Sequence, residues 1–156
     1  MKPLAEVQPL LIVEDSDDDY EATVRALKRD GPLANPILRC ENGREALDYI
    51  KRMGSPECPR PGLVLLDLNM PGVDGREVLK TLKSDPALST IPVVILTTSD
   101  DEWDVNNCYE AGANTYIKKP VDLEGFFSAL RSLREYWLQV AILPRDPTHA
   151  GSDDGD

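Results

Sequence analysis

Nowhere in the chain do two cysteines stand close enough to make a CxxC pair: Cys40, Cys58 and Cys108 are odd in number and widely spaced. Neither a disulfide framework nor a zinc site follows from such a set, and reduced thiols in a cytosol are the expectation. Long apolar runs are missing too. No stretch approaches the roughly 18 apolar residues of a membrane span, and Met1 to Gln8 lacks the apolar core of a signal peptide. The sequence therefore predicts a soluble, cytoplasmic protein without membrane contact. Basic charge is also scarce: 17 Lys and Arg face 28 Asp and Glu, a net charge of −11. That excess disfavours nucleic-acid phosphates as partners and favours divalent cations and basic surfaces. The 156 residues suffice for one domain with its own core.

What is present begins with short apolar runs closed by acid. Leu63-Val64-Leu65-Leu66 is too short for a helix face and reads as a strand buried on both sides, with Asp67 at its mouth. An ionised carboxylate at that depth must be paired, protonated or bound to a metal, although an N-cap for the following segment is the blander explanation. Leu10-Leu11-Ile12-Val13 is a second such run, closed by Glu14-Asp15. The segment Pro36 to Cys40 predicts a short strand at a sheet edge, because proline is tolerated there. Ile91 to Leu96 predicts a fourth strand, followed by Thr97, and Thr115-Tyr116-Ile117 a fifth, leading into Lys118-Lys119-Pro120.

Helical signals lie between these strands. Ser16 or Asp17 caps a segment in which Tyr20, Val24 and Leu27 share a face, ended by Gly31-Pro32. Asn42 and Glu45 have capping-box spacing ahead of Ala46, Leu47, Ile50 and Met53. Asp74-Gly75 opens a helix with Val78, Leu79 and Leu82, and Asp100 to Ala111 and Asp122 to Trp137 predict two more. Five strands alternating with helices specify a doubly wound α/β domain with a parallel sheet. Ligands bind at the carboxyl ends of such strands. Glu14-Asp15, Asp67, Thr97 and Lys119 all fall at such ends. Gathered carboxylates there would bind a hard cation, for which magnesium is the natural candidate. Asp67 could then act as a nucleophile towards phosphorus, with Thr97 and Lys119 holding the remaining phosphoryl charge. Taken singly, Thr97 reads as a strand-end cap, Lys119 as a solvated charge, and Asp17, Asp18 and Asp19 as an exposed helix start.

The combination of Glu14-Asp15, the run Leu65 to Gly75, Thr97 and Lys119-Pro120 resembles the receiver domains of two-component response regulators, over about Leu10 to Leu133. The resemblance implies a flavodoxin-like sheet of order 2-1-3-4-5 with helices on both faces. It implies Asp67 as phosphoacceptor, and Glu14, Asp15, Asp67 and the carbonyl of Asn69 as magnesium ligands. Thr97 and Lys119 would bind the phosphoryl group, Tyr116 with Thr97 would act as the switch, and Lys119-Pro120 would be a cis peptide. Lys118 reads as a surface charge. Glu14 departs from the aspartate of many members, and Asn69 lies where it can influence water's access to the phosphoryl group.

The chain divides into a receiver over 1–133 with its core from about residue 10, an apolar extension over 134–143, and an acidic, disordered tail over 144–156. Too few residues follow Leu133 for an attached output domain, so a stand-alone regulator is expected, phosphorylated by a sensor histidine kinase. Asp85-Pro86, Ile91 to Ser99, Lys119 to Asp122 and Tyr136-Trp137-Leu138 resemble the single-domain regulators that partner bacterial phytochromes. This implies a bacteriophytochrome as the kinase and a homodimer with Tyr136, Trp137 and Val140 in its interface. Packing of the extension on its own domain is the alternative. Two other functions compete: an aspartyl-phosphate hydrolase of the haloacid-dehalogenase type, and a scaffold that is not phosphorylated. The hydrolase requires an acid two places after its nucleophile, where this sequence has Asn69.

Overall fold

The computed structural model describes residues 7–145. Five four- or five-residue strands form one parallel sheet: β1 (Leu10–Val13), β2 (Ile37–Cys40), β3 (Leu63–Leu66), β4 (Val93–Thr97) and β5 (Thr115–Lys118). Their spatial order is β2-β1-β3-β4-β5, as the resemblance implies, and β2 takes the predicted edge. Between them run α1 (Asp17–Lys28), α2 (Gly43–Lys51), α3 (Gly75–Ser84), α4 (Glu102–Glu110) and, after β5, α5 (Leu123–Leu133).

The apolar runs of β1, β3 and β4 are buried at every position. Because successive side chains point to opposite faces, each run feeds two cores. Leu11, Val13, Val64, Leu66, Val93 and Ile95 meet Val78, Leu79 and Leu82 of α3. Leu10, Ile12, Leu63, Leu65, Val94 and Leu96 meet Ala26 and Leu27 of α1 and Phe126, Leu130 and Leu133 of α5. At about 1.5–3 kcal/mol for each fully buried aliphatic side chain, this double layer is the main favourable contribution to the fold.

Helix starts follow the predicted caps. Ser16 Oγ accepts from Asp19 N, Asn42 Oδ1 from Glu45 N, Asp74 from Arg76 N and Glu77 N, and Asp122 from Gly125 N. The α2 box is displaced by one residue, since Glu45 Oε1 accepts from Glu41 N rather than from Asn42 N. β4 starts at Val93 instead of Ile91. Pro92 has no N–H to donate to a ladder, and the Asn114 side chain accepts from Val93 N at 2.9 Å.

One expectation needs revision. Among the described residues every peptide bond is trans, Lys119–Pro120 included; trans is the intrinsically favoured isomer even before proline. The last helix runs on past Leu133, in keeping with its predicted span to Trp137. α5 continues without a break into a π-helical segment, Arg134–Val140. Arg134 donates to the carbonyl of Leu27 in the last turn of α1 at 2.7 Å and to those of Gly31 at 2.8 Å and Pro32 at 3.1 Å in the loop that follows. Trp137 and Leu138 pack against the α1–α5 core, while Tyr136 meets the Trp137 ring edge-on and remains 56 % exposed. Farther on, Gln8 donates to the Pro144 carbonyl at 3.0 Å. The Val140 side chain and the tail beyond Arg145 lie outside the described residues.

Candidate functional site

Strand register builds the site. β1 and β3 pair with Val13 opposite Leu66, so the next residues, Glu14 and Asp67, emerge side by side. Asp67 N still donates to the Val13 carbonyl at 3.1 Å, which holds the two mouths together. On the other side, Thr97 pairs with Lys118 across β4 and β5, and Lys119 N donates to the Thr97 carbonyl at 2.6 Å. Four segments thus meet at the carboxyl edge of the sheet, as the sequence predicts.

The turn after Asp67 is closed from below by α3. A Cβ at Gly75 would collide with the Asp67 carbonyl oxygen and with Leu68 Cα, and Gly75 N donates to the Leu68 carbonyl at 3.0 Å. Only glycine allows the helix start to sit this near the acidic turn. Asn69 N donates to Asp67 Oδ1 at 3.3 Å, and Asn69 Nδ2 to Thr97 Oγ1 at 3.4 Å.

Burial is unusual for such polar groups. Glu14 is 4 % exposed, Asp67 7 %, Lys119 8 % and Thr97 fully buried, whereas Asp15 is exposed. Lys119 Nζ donates to Glu14 Oε1 at 2.6 Å and to Asp19 Oδ2 at 2.9 Å, and lies 3.5 Å from Asp67 Oδ2. Burial pushes the Glu14 carboxyl up to about 7, and the Asp67 charge adds to the rise despite the hydrogen bond from Lys119. For Lys119 burial acts against the charge, but the Glu14 hydrogen bond and the Asp67 carboxylate outweigh it and hold the ammonium above the ordinary lysine range.

The residues fit a hard divalent cation. Glu14, Asp15 and Asp67 each offer a carboxylate oxygen, and these oxygens all lie within 4.8 Å of one another. An all-oxygen anionic set suits magnesium or manganese, not a soft metal. The unfavourable burial of Glu14 is the kind of charge imbalance that a cation relieves.

A strand-end carboxylate, a neighbouring acid pair, a buried threonine and a buried lysine thus share one edge of the sheet. The response regulator receiver domain family matches residues 10–131. This chain belongs to that family. The receiver is 39% identical over 136 residues to response regulator Rcp1 of Synechocystis, with 86% of this chain and 92% of Rcp1 aligned. The crystal structure of the phosphorylated cyanobacterial phytochrome response regulator RcpA superposes with a TM-score of 0.82 at 38% identity, over 89% of this chain and 99% of that one. The Mn(2+)-bound form of Rcp1 gives 0.81 at 37% identity, over 88% and 99%. Family membership places the chain among signalling proteins.

Within the receiver, Glu14, Asp15, Asp67, Asn69, Thr97 and Lys119 come together. Tyr116 does not join them. It is half-buried, and its hydroxyl donates to the Ser99 carbonyl at 2.9 Å, in the loop that follows Thr97. Tyr136 and Trp137 lie on the π-helical segment beside α1 and α5, outside this cluster. Lys118 is the predicted surface charge, paired with Asp100 at 2.9 Å.

Three participants escaped the sequence reading. Asp19 reads in the sequence as part of an exposed helix start, yet it holds Lys119. The buried stripe of α1 gives the signal: Asp19 stands one turn before Thr23 and shares its face, unlike Asp17 or Asp18. Arg39 grips the Glu14 carbonyl through Nε at 3.2 Å and Nη2 at 3.0 Å, and pairs with Asp17 at 2.8 Å. Asp104, buried on α4, accepts from Ser99 Oγ at 2.9 Å and pairs with Arg76 of α3 at 2.8 Å. Nothing in the sequence marks the last two, because their partners come from other elements.

Proposed function

We propose that this receiver is a stand-alone, cytoplasmic phosphoacceptor in which Asp67 takes a phosphoryl group from the phosphohistidine of a sensor kinase. The observation that carries the reading is Lys119, a buried ammonium placed among Glu14, Asp19 and Asp67 at the mouth of the sheet. An Asp67 carboxylate oxygen attacks phosphorus, the O–P bond forms as the P–N bond to the donor imidazole breaks, and that imidazole leaves with the electron pair. Lys119 and the Thr97 hydroxyl stabilise the charge on the non-bridging oxygens. Glu14, Asp15, Asp67 and the Asn69 carbonyl would hold magnesium. When bound, the ion supplies neutralisation of the converging anionic charge. Beyond slow loss of its own phosphoryl group, the receiver has no enzymatic role in this reading.

The signal then passes from Thr97 to the β4–α4 loop, where Tyr116 is bonded to the Ser99 carbonyl. The likeness to RcpA supports a phytochrome-class kinase, here a bacteriophytochrome. A homodimer through Tyr136, Trp137 and Val140 is part of the same reading. The exposure of Tyr136 and the 91 % exposure of Ile142 support it. Trp137 contributes from below, since it packs against its own core.

Intact mass after incubation with acetyl phosphate and magnesium tests the proposal. One phosphate adduct is expected on the parent and none on Asp67→Asn or after chelation of magnesium. Absence of an adduct with free phosphate accumulating would indicate a hydrolase, and absence of both would indicate the scaffold.

A further inference from the structure

Lys119 is the cation that must reach the phosphoryl group, and the structure shows what holds it beforehand. Its backbone is fixed by the hydrogen bond from Lys119 N to the Thr97 carbonyl, so only the side chain can redirect the ammonium. That ammonium is drawn away from Asp67. Glu14 and Asp19 accept from it at 2.6 and 2.9 Å, whereas Asp67 Oδ2 at 3.5 Å is beyond the 2.7–2.9 Å of a charge-assisted hydrogen bond. Of the two holders, Glu14 belongs to the oxygen cluster that fits a cation and Asp19 does not. Once Glu14 turns to a cation, Asp19 is the remaining anchor.

We propose that Asp19 is a positioning residue that restrains Lys119 and thereby sets how fast Asp67 is phosphorylated. The inference rests on the reading of Asp67 as the phosphoacceptor. Asp19 lies in the first turn of α1 with its side chain 47 % exposed, so water can replace the lost contact when Lys119 moves. The restraint is therefore mild. An exposed or half-exposed ion pair contributes at most about 1 kcal/mol, which converts to a rate change of about two- to fivefold. Its direction is set by the competition: Lys119 freed from Asp19 is available earlier to the charge that develops on the phosphoryl oxygens.

Asp18 provides the internal control. It sits one residue earlier in the same turn and is exposed, so Asp18→Asn removes the same formal charge from the same helix start without touching Lys119. Neither substitution removes a hydrogen bond of the helix start, since Asp19 donates to Ser16 Oγ through its backbone N–H and accepts from Thr23 Oγ1 through its backbone carbonyl.

The experiment measures the rate of adduct formation by acetyl phosphate and magnesium, by intact mass, in the full chain and in Asp18→Asn, Asp19→Asn and Asp19→Glu, with thermal melting alongside. Asp19→Asn is expected to react about two- to fivefold faster with a melting temperature lowered by no more than about 2–4 °C, the cost of the lost ion pair, and Asp18→Asn and Asp19→Glu to stay near the parent rate. Equal acceleration in Asp18→Asn would overturn it in favour of a general charge effect. An unchanged or slower Asp19→Asn would overturn it as well, the slower result making Asp19 a support for Lys119. A parent that takes no phosphoryl group would instead defeat the proposed function, and this inference with it.

Discussion

At the scale of single residues, the site depends on charges kept at a depth where they are costly. Glu14 illustrates the consequence for pH. Its folded carboxyl is pushed from an ordinary 4.5 up to about 7 by burial. Between those values the folded chain binds more protons than the unfolded one, so the cation-free protein loses stability as pH rises through that window. A cation needs the ionised form, so its affinity runs the opposite way. Magnesium affinity is expected to rise with pH, by up to about tenfold per unit below pH 7, and to level off above it. Calorimetric titrations at several pH values check this, and a flat profile would remove Glu14 from the ligand set. Gly75 is the other informative residue. Gly75→Ala drives a methyl group into the Asp67 carbonyl and should cost about 1–3 kcal/mol, the usual range for overpacking, seen as a lower urea midpoint.

At the scale of elements, the strands were legible because burial on both faces leaves an uninterrupted apolar run, and each run ends where its acid, threonine or lysine begins. Helix starts were legible through their side-chain caps, Asn42, Asp74 and Asp122 among them. The start of β4 was less so, because at Pro92 the missing N–H rather than hydrophobicity sets the boundary. Beyond the convergence of strand ends at one edge, side-chain contacts between elements were not legible. Arg39 in β2 and Asp104 in α4 look like ordinary surface charges in the sequence, and their roles arise only when β1 and α3 are brought alongside. Arg134 is the same case. It satisfies one carbonyl in the last turn of α1 and two in the loop after it, so Arg134→Ala should destabilise the fold by about 1–2 kcal/mol and loosen the π-helical segment. Hydrogen exchange would show it: amides of 134–140 should exchange faster in the variant, while those of β3 stay protected until global unfolding.

At the scale of the whole molecule, a net charge of −11 and an acidic edge make the receiver a partner for cations and basic surfaces. The described residues contain no helix long and apolar enough to cross a membrane. The proposed homodimer belongs to this scale. Tyr136→Ala removes an exposed ring and should lower the dimer fraction in light scattering while leaving the melting temperature within about 1–2 °C, as surface substitutions do. Trp137→Ala removes core packing as well and should lower both. Equal dimer fractions in the parent and Tyr136→Ala would place the interface elsewhere.

The proposed function turns on one covalent bond, between Asp67 and a phosphoryl group. An aspartyl phosphate is reduced by borohydride to homoserine, which marks the acceptor permanently. Treating the receiver with acetyl phosphate and magnesium, reducing it and sequencing its peptides by tandem mass spectrometry reads the site directly. The prediction is homoserine at position 67 alone, lost when magnesium is chelated. Homoserine at Asp15 or another acidic position, or none on a chain that carries a phosphate adduct, would contradict it.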